Sequence, residues 1–159
     1  MANNKIEQLS EENKKYAIQI VLESKVGTKQ MALDFFNKCL KNKTDNCFLC
    51  VSGTEYIGLI GWYQDDGSWA GESLGELFPY GKDIYWVSFF GVREKMRGKG
   101  IGTFLMRKLL NVVRKKKARE LWTYSGRAKI FYEKMGLVFV TRAIIENEPH
   151  DFLKFKFNK

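Results

Sequence analysis

The fold is decided by the stretch Phe90-Gly91-Val92-Arg93-Glu94-Lys95-Met96-Arg97-Gly98-Lys99-Gly100-Ile101-Gly102-Thr103-Phe104-Leu105. The apolar, aromatic run over 84–90 predicts a buried strand before it, and the amphipathic pattern over 101–117 predicts a helix after it. Three glycines at alternate positions, 98, 100 and 102, separate the two elements. Glycine lets a backbone turn tightly near a ligand, and a helix start adds unpaired N–H groups with a partial positive charge. We therefore expect an anion site here, with phosphate as the usual anion.

The spacing of these glycines excludes two familiar phosphate-binding motifs. A P-loop needs G-x-x-x-x-G-K-S/T, which the sequence lacks. The dinucleotide fingerprint G-x-G-x-x-G would need a third glycine at position 103, where threonine stands. The pattern present is Arg97-x-x-Gly100-x-Gly102. A tight, solvated turn without a ligand is the alternative interpretation of this pattern on its own.

A second motif lies farther along the chain, in the stretch Ala128-Lys129-Ile130-Phe131-Tyr132-Glu133-Lys134-Met135-Gly136-Leu137. The two motifs resemble, in order, the R/Q-x-x-G-x-G/A and A-x-x-F/L-Y-x-K-x-G-F patterns of the GCN5-related N-acetyltransferases, the GNAT family. The resemblance covers residues 5–157 and is strongest over 84–137. It implies the family's fold and an N-acetyltransferase that depends on acetyl-CoA.

Hydrophobic periodicity predicts one domain over residues 1–159 with the element order β-α-α-β-β-β-α-β-α-β-β. Ser10 is the expected N-cap of the first helix, and Thr28 is expected to start the second. The last two strands are expected over 137–142 and 151–157, after a long, glycine-rich connection over 65–82 in the middle of the chain. The order predicts an α/β fold with a mixed α+β sheet and helices packed on it, as in the GNAT family.

Bulk composition excludes several classes of protein. No stretch approaches eighteen apolar residues and the N-terminus begins no signal peptide, so we expect a cytoplasmic protein with no membrane partner. The three cysteines are too few for a disulfide framework. Cys47 and Cys50 have the spacing of half a zinc site, but the chain has one histidine, so we expect reduced thiols and no metal.

The formal net charge of +9 suits a nucleic acid, an anionic surface or a polyphosphate cofactor as partner. The densest basic cluster spans 114–119 at the predicted C-terminus of a helix, where cations interact favourably with the helix dipole. That role explains the cluster without nucleic acid, and no base-stacking motif accompanies it. A nucleic-acid or anion-binding module using this cluster is still one alternative function. A family fold that binds acyl-CoA as a non-catalytic sensor is another, and pairing into a homodimer is left open.

The resemblance also implies how acetyl-CoA is bound. The backbone at Phe90 and Val92 would pair with the pantetheine arm as an added strand does. The loop amides would hold the pyrophosphate, and two basic side chains would add charge-assisted contacts; the residues concerned are Arg97, Gly98, Lys99, Gly100, Ile101, Gly102 and Thr103. Ser125 stands where the family often has asparagine, so its hydroxyl would substitute in a contact to the cofactor or to water.

The family pattern makes Tyr132 the general acid that protonates the departing thiolate. A tyrosine with a pKa near 10 stays protonated at neutral pH and can donate. A packing role for a half-buried tyrosine is the alternative. For the base that accepts the proton of the attacking amine, Glu76 is the favoured residue and a water chain to solvent the alternative. The lone His150 is interpreted as a surface residue.

The acceptor is expected to contact the stretch 56–81, which contains no lysine or arginine but several acids and aromatics. Such a composition suits a cationic amine through charge pairing and cation–π contact. The candidate substrate-binding residues are Asp65, Glu72 and Trp69. A solvated loop anchored by its aromatics is the alternative. We expect a small amine or a peptide or protein amine as acceptor, attacking directly in a ternary complex.

Overall fold

The computed structural model describes residues 3–42, 44–65 and 70–158 of the chain. The strands are β1 (Asn4–Gln8), β2 (Asn46–Ser52), β3 (Glu55–Tyr63), β4 (Ile84–Val92), β5 (Glu120–Ser125), β6 (Val138–Ile145) and β7 (Glu148–Lys156). The helices are α1 (Lys14–Glu23), α2 (Lys29–Lys41), α3 (Gly71–Leu74), α4 (Ile101–Lys115) and α5 (Lys129–Lys134). Short 3-10 turns span Gly75–Leu77 and Glu94–Met96.

Over the described residues, seven strands form a mixed sheet in the order β1-β2-β3-β4-β5-β7-β6. β4 runs parallel to β5, with Trp86 opposite Trp122. The pairs β1–β2, β2–β3, β5–β7 and β6–β7 are antiparallel. This mixed sheet with flanking helices confirms the predicted fold class.

The chain divides into two compact units, so the single domain over 1–159 stays a prediction. The first unit comprises Met1–Tyr63 and Ser88–Leu109. Within it α1 packs against α2 and β3, and α2 packs against β2. Its core is a cluster of buried apolar side chains on these elements: Leu9, Ala17, Ile20, Val21, Ala32, Phe36, Cys39, Cys47, Leu49 and Leu59. Burying each large apolar side chain contributes about 1.5–3 kcal/mol, which makes this cluster the main source of the unit's stability.

The second unit comprises Gln64–Val87 and Leu110–Lys159 and is built around aromatic rings. The ring of Trp86 lies 5.4 Å from that of Trp122 and 6.3 Å from that of Phe152. Next to them the buried carboxylate of Glu120 accepts hydrogen bonds from Trp122 Nε1 at 2.7 Å and from Lys154 Nζ at 3.3 Å. A buried carboxylate needs such donors, so this group is compensated rather than reactive.

The start of the first helix differs from its prediction. α1 begins at Lys14, because Ser10 and Asn13 bond to each other before it. Ser10 N–H donates to Asn13 Oδ1 at 2.8 Å, and Asn13 N–H donates to Ser10 Oγ at 3.3 Å. These reciprocal bonds have the pattern of a capping box, and Ser10 O accepts from Lys14 N–H at 3.0 Å, so Ser10 caps the turn that leads into the regular helix from Lys14. Thr28 does cap the second helix, since its Oγ1 accepts from Met31 N–H at 3.2 Å.

The hairpin between β6 and β7 is tighter than predicted. Glu146 and Asn147 form its turn with φ angles of 51° and 67°, both in the left-handed region. A two-residue turn of that kind matches the twist of the flanking strands and lets them pair up to the turn itself. β6 and β7 therefore extend toward each other beyond the predicted 137–142 and 151–157. The predicted loop over 65–82 likewise contains α3 and a 3-10 turn.

Gly91 allows a close contact between β4 and the end of α1. A Cβ atom at this position would lie 2.6 Å from Ser24 Oγ and 2.8 Å from Ser24 Cβ. Ser24 is the C-cap of α1, is buried, and donates from Oγ to the carbonyl oxygen of Val92 at 3.4 Å. Glycine therefore stands in mid-strand because the helix end leaves no room for a side chain.

Candidate active site

The glycine loop of the first unit has the backbone that its sequence predicts. Gly98 and Gly100 have φ angles of 74° and 79°, in the left-handed region that glycine adopts at little cost. α4 then begins at Ile101, and the N–H of Phe104 donates to Gly100 O at 3.0 Å. The N–H groups that precede this first helical bond are the unpaired donors of a helix start.

The space beside the loop is open. A Cβ built at Gly98 or at Gly100 would meet no atom within 4 Å among the described residues. Both glycines are exposed, as are Arg97 and Lys99. A pyrophosphate is suited by unpaired N–H groups, by the N-terminus of a helix of fifteen residues and by two exposed cations. The residues present therefore fit the group that the motif implies.

Arg97 and Val92 also contact each other, which the sequence does not indicate. Arg97 Nε donates to the carbonyl oxygen of Val92 at 3.2 Å. Because Ser24 Oγ donates to the same oxygen, this carbonyl at the end of β4 accepts from two side chains. The Nη groups of Arg97 are not needed for that bond and can contact an anion. Phe90 and Val92 are both half-buried in β4.

Tyr132 lies on α5 in the second unit and is 5% exposed. Burial raises the pKa of its phenol above the ordinary value, and a hydrogen bond with the side chain of Thr123 on β5 lowers it in part. The phenol therefore stays protonated throughout the neutral range, as a proton donor must. Its role as general acid stays a prediction.

Ser125 ends β5, and its hydroxyl fixes the turn that leads to α5. Ser125 Oγ accepts from Ala128 N–H at 2.8 Å and from Arg127 N–H at 3.1 Å. The hydroxyl proton is not used in either bond and can still be donated. Ser125 therefore has a structural role in addition to the predicted contact with the cofactor, which stays a prediction.

The predicted acceptor residues lie in the second unit. Asp65 follows β3 and is half-buried, whereas Glu72 in α3 and Glu76 in the next 3-10 turn are exposed. Trp69 lies outside the described residues. The structure therefore brings neither glutamate into a buried environment, and Asp65 is the acid of this set with the more enclosed position.

Tyr124 on β5 lies beside His150 on β7, the residue that the sequence analysis interprets as a surface histidine. Tyr124 and His150 pack with ring centroids 5.5 Å apart and an interplanar angle of 69°. Burial raises the pKa of Tyr124 to about 12, and the nearby Glu146, Tyr132 and Asp65 add to that effect. The sequence separates Tyr124 from His150, and only the β5–β7 pairing joins them.

The basic cluster over 114–119 is engaged within the second unit. The Arg114 guanidinium lies over the ring of Phe157 at 5.7 Å. Arg119 Nε pairs with Asp83 Oδ2 at 3.1 Å, and its Nη2 donates to Tyr80 O at 3.1 Å. Two members of the cluster therefore have structural roles, as expected for cations near a helix end.

The sequence also predicts reduced thiols, no metal site and no membrane partner. The three cysteines are buried and free, with pKa values raised chiefly by burial. Among the described residues no three histidine, cysteine, aspartate or glutamate side chains are grouped to hold a metal ion. Across the same part of the chain, every helix is too short or too polar to cross a membrane.

Comparison with solved structures shows the same fold in several acetyltransferases. An aminoglycoside 6'-N-acetyltransferase complexed with coenzyme A has a TM-score of 0.75 at 14% identity, with 98% of each chain covered. The PaiA N-acetyltransferase from Thermoplasma acidophilum, in complex with coenzyme A, has a TM-score of 0.69 at 14% identity, covering 98% of this chain and 99% of that one. NAA60 of Arabidopsis thaliana, in complex with a bisubstrate analogue, has a TM-score of 0.74 at 16% identity with the same coverage.

The family itself is shown by the sequence comparison. No curated protein gives a match to the sequence. The model of the Acetyltransferase (GNAT) family, however, matches residues 7–137, which include both motifs. The chain therefore belongs to the GNAT family of acetyltransferases.

Proposed function

We propose that the protein is an acetyl-CoA-dependent N-acetyltransferase that passes an acetyl group directly to a primary amine in a ternary complex. The observation that carries the proposal is the open glycine loop at the start of α4, in which Gly98 and Gly100 adopt left-handed φ angles with free space beside them. The coenzyme A held by two related structures of the same fold supports the choice of cofactor.

The cofactor is assigned to residues of the glycine loop and of β4. The loop amides from Gly98 to Thr103 hold the pyrophosphate, helped by Arg97 and Lys99. The backbone at Phe90 and Val92 pairs with the pantetheine arm, and Ser125 donates its free hydroxyl proton to the cofactor or to a water. When bound, acetyl-CoA supplies an activated thioester. The residues of the chain orient this thioester and donate or accept the protons of the reaction.

The chemical role of Tyr132 is to donate a proton to the departing sulfur. Its burial keeps the phenol neutral until the sulfur develops charge, and a positioned acid typically accelerates such a step by about 10²–10⁴-fold. Tyr132→Phe should lower kcat by that order while leaving the affinity for acetyl-CoA unchanged. No turnover in either form, with acetyl-CoA still bound, would instead favour the non-catalytic sensor.

The acceptor is proposed to be a small cationic amine or a peptide or protein amine. Neighbours of the same fold include an aminoglycoside acetyltransferase and a protein crystallised with a bisubstrate analogue, so the fold does not decide between acceptors. The stretch 56–81 contains several acidic residues but no lysine or arginine, and this composition favours a cationic amine as acceptor. Asp65→Asn combined with Glu76→Gln should raise KM for such an amine, and an unchanged KM would remove these acids from the acceptor site. We also predict that the protein is cytoplasmic.

The test of the function is a thermal melt with acetyl-CoA, with ADP and NAD as controls. At a concentration of about 100 times Kd, acetyl-CoA should stabilise the fold by roughly 2.7 kcal/mol. For a chain of this length that corresponds to a rise of about 5–10 °C in Tm. A panel of amines is then screened for release of free coenzyme A thiol.

The outcomes separate the proposal from its alternative. A rise with acetyl-CoA, larger than with either control, followed by amine-dependent thiol release supports the acetyltransferase. Failure of acetyl-CoA to shift Tm would leave the loop as a structural turn. Salt-sensitive nucleic-acid binding that is lost on reversing the charge of Lys115 and Lys116 would then favour the nucleic-acid-binding alternative.

A further inference from the structure

Arg93 joins the entry of the glycine loop to two other elements of the first unit. It follows β4 directly and precedes the 3-10 turn Glu94–Met96, which leads into the loop. Its Nε donates to the carbonyl oxygen of Tyr56 on β3 at 2.7 Å, and its Nη1 donates to Glu23 Oε2 on α1, also at 2.7 Å. Its backbone N–H donates to Ile57 O at 2.9 Å. This one residue therefore ties the chain to β3 twice and to α1 once.

The side-chain bonds of Arg93 hold it more firmly than an ordinary surface ion pair would. A guanidinium presents its donors in a rigid, planar fork, so bonds at two of its nitrogens fix the whole group. The side chains of Arg93 and Glu23 are 18% and 36% exposed, whereas those of Lys95 in the next turn and its partner Glu55 on β3 are 62% and 45% exposed. Water and salt screen the first pair less than the second. Arg93 is therefore the enclosed anchor of this turn.

Both points to which Arg93 is attached belong to well-packed parts of the unit. The ring of Tyr56 stacks on that of Tyr16 in α1, with centroids 4.6 Å apart, and Tyr56 Oη donates to Glu7 Oε2 on β1 at 2.8 Å. Glu23 is the last residue of α1, a helix that packs on β3 and α2. The entry of the glycine loop is thus attached to a rigid framework of two strands and a helix.

The glycine loop has few contacts of its own. Residues 97–100 are all exposed, and within the described part of the chain a Cβ at Gly98 or Gly100 would have no neighbour within 4 Å. Glycine loses more conformational freedom on ordering than any other residue, so such a loop keeps one conformation only if its ends are fixed. Buried Ile101 fixes the end that continues into α4. The end that follows β4 depends on the bonds of Arg93.

We propose that Arg93 is a positioning residue that holds the glycine loop in the conformation that binds the pyrophosphate of acetyl-CoA. The inference rests on the proposed acetyltransferase function and adds to its site a residue outside the motif Arg97-x-x-Gly100-x-Gly102. In this role Arg93 does not touch the cofactor, because its Nε and Nη1 are bound to β3 and α1. It keeps most molecules competent to bind, and the apparent Kd is the intrinsic Kd divided by the competent fraction.

The test compares two acetyl donors in the wild type and in Arg93→Ala. Acetyl-CoA contains the pyrophosphate, whereas acetylpantetheine has the same thioester and pantetheine arm without it. If the competent fraction falls to about one tenth, calorimetry should find Kd for coenzyme A raised about tenfold. KM for acetyl-CoA should rise by the same factor with kcat at saturation unchanged. The ratio kcat/KM for acetylpantetheine should stay at the wild-type value, whereas a substitution that only weakened the fold would lower the rates with both donors.

Lys95→Ala is the matched control for the charge of Arg93. It removes a cation that lies two residues nearer to the glycine loop and that also pairs with β3, but in an exposed ion pair. If Arg93 acted through long-range attraction of the phosphates, Lys95→Ala would weaken coenzyme A binding at least as much. We expect Lys95→Ala to change Kd for coenzyme A by less than about twofold at the same ionic strength.

Two further variants remove parts of the attachment. Glu23→Ala leaves the bond from Arg93 to Tyr56 O and removes only the link to α1, so it should raise Kd for coenzyme A by a smaller factor than Arg93→Ala. Arg93→Lys keeps the charge, but its single nitrogen cannot occupy the positions of both Nε and Nη1, so it should restore binding only in part. If Arg93→Ala does not fold, Glu23→Ala decides the question in its place.

The outcomes separate this inference from the function on which it rests. The inference is overturned if folded Arg93→Ala, or Glu23→Ala in its place, binds coenzyme A as tightly as the wild type. It is also overturned if kcat/KM falls equally with both donors, or if Lys95→Ala weakens binding as much as Arg93→Ala. In each of these cases the function stands, provided that the wild type binds acetyl-CoA and acetylates amines. A wild type that does neither contradicts the proposed function itself.

Discussion

Replacing Gly91 by alanine tests the close approach of α1 to β4. The added methyl group would lie 2.6 Å from Ser24 Oγ and 2.8 Å from Ser24 Cβ. Rotating the serine hydroxyl relieves the first contact only, because the second involves an atom that moves with the backbone. α1 or β4 must therefore shift. Overpacking of this kind typically costs about 1–3 kcal/mol, which for a chain of this length lowers Tm by roughly 2–4 °C per kcal/mol.

A double-mutant cycle isolates the contact from other effects of the substitution. Ser24→Gly removes both clashing atoms and the bond from Oγ to Val92 O, whose length of 3.4 Å indicates a weak interaction. In the presence of Ser24→Gly, the change Gly91→Ala should cost little, so the coupling energy should approach the whole cost of the single mutant. Urea unfolding of the four proteins, monitored by far-ultraviolet circular dichroism, gives the required free energies of unfolding.

Gly71→Ala is the matched control, since a Cβ there would meet its nearest atom at an ordinary 3.7 Å. It should change the free energy of unfolding by less than about 0.5 kcal/mol. The reasoning is refuted if Gly91→Ala is as stable as this control. It is equally refuted if the costs of Gly91→Ala and Ser24→Gly simply add.

Three further predictions, tested with five substitutions, address the site and the charge pair of the last hairpin. Gly100→Ala and Gly53→Ala each place a side chain at a left-handed φ, 79° and 62°, with nothing within 4 Å. Both should therefore lower the free energy of unfolding by about 1–2 kcal/mol. Calorimetry should find weaker coenzyme A binding for Gly100→Ala alone. Arg97→Lys keeps the positive charge and loses the Nε donor, whereas Arg97→Gln keeps an N–H donor and loses the charge. If the charge of Arg97 dominates binding, only Arg97→Gln should raise Kd for coenzyme A. Equal effects of the two substitutions on Kd would contradict a dominant role of charge. The Arg142 guanidinium holds the pKa of Asp151 below its usual range, so the pair stabilises the fold above the unfolded-state pKa and this contribution disappears as pH falls through the lowered one. The stability gap between wild type and Asp151→Asn should therefore close in acid, and a gap that is constant from pH 7 to pH 2.5 would count against the ion pair.

Local chemistry explains which parts of the fold the sequence predicts well. The start of α4 follows from Gly98 and Gly100, because left-handed φ angles favour glycine and a helix needs free N–H donors at its first turn. The cap at Thr28 follows for the same local reason. The two-residue turn at Glu146 and Asn147 does not follow from local chemistry in the same way, since neither residue is glycine and pairing of the two strands favours the left-handed backbone there.

The site is harder to predict where it depends on residues distant in the chain. Nothing near Val92 in the sequence shows that its carbonyl accepts from Arg97 and Ser24, because α1 reaches it only after folding. The tautomer of His150 depends on a backbone carbonyl, and its ring partner Tyr124 is brought near by strand register. Motifs with fixed spacing therefore indicate the glycine loop, whereas contacts between residues that are distant in the chain require coordinates.

The buried thiols have a practical consequence for measuring turnover. Burial raises the pKa of Cys39 to about 12 and that of Cys50 to about 11, and the pKa of Cys47 lies well above its ordinary value. At pH 8 roughly one Cys50 side chain in a thousand is therefore a thiolate, the form that attacks disulfide reagents. Ellman's reagent should accordingly count the coenzyme A released by each acetyl transfer against a nearly silent protein background. The low reactivity of the buried thiols also provides an assay of unfolding. Without substrate, a slow rise in the absorbance of the reagent would report protein molecules whose cysteines have become exposed.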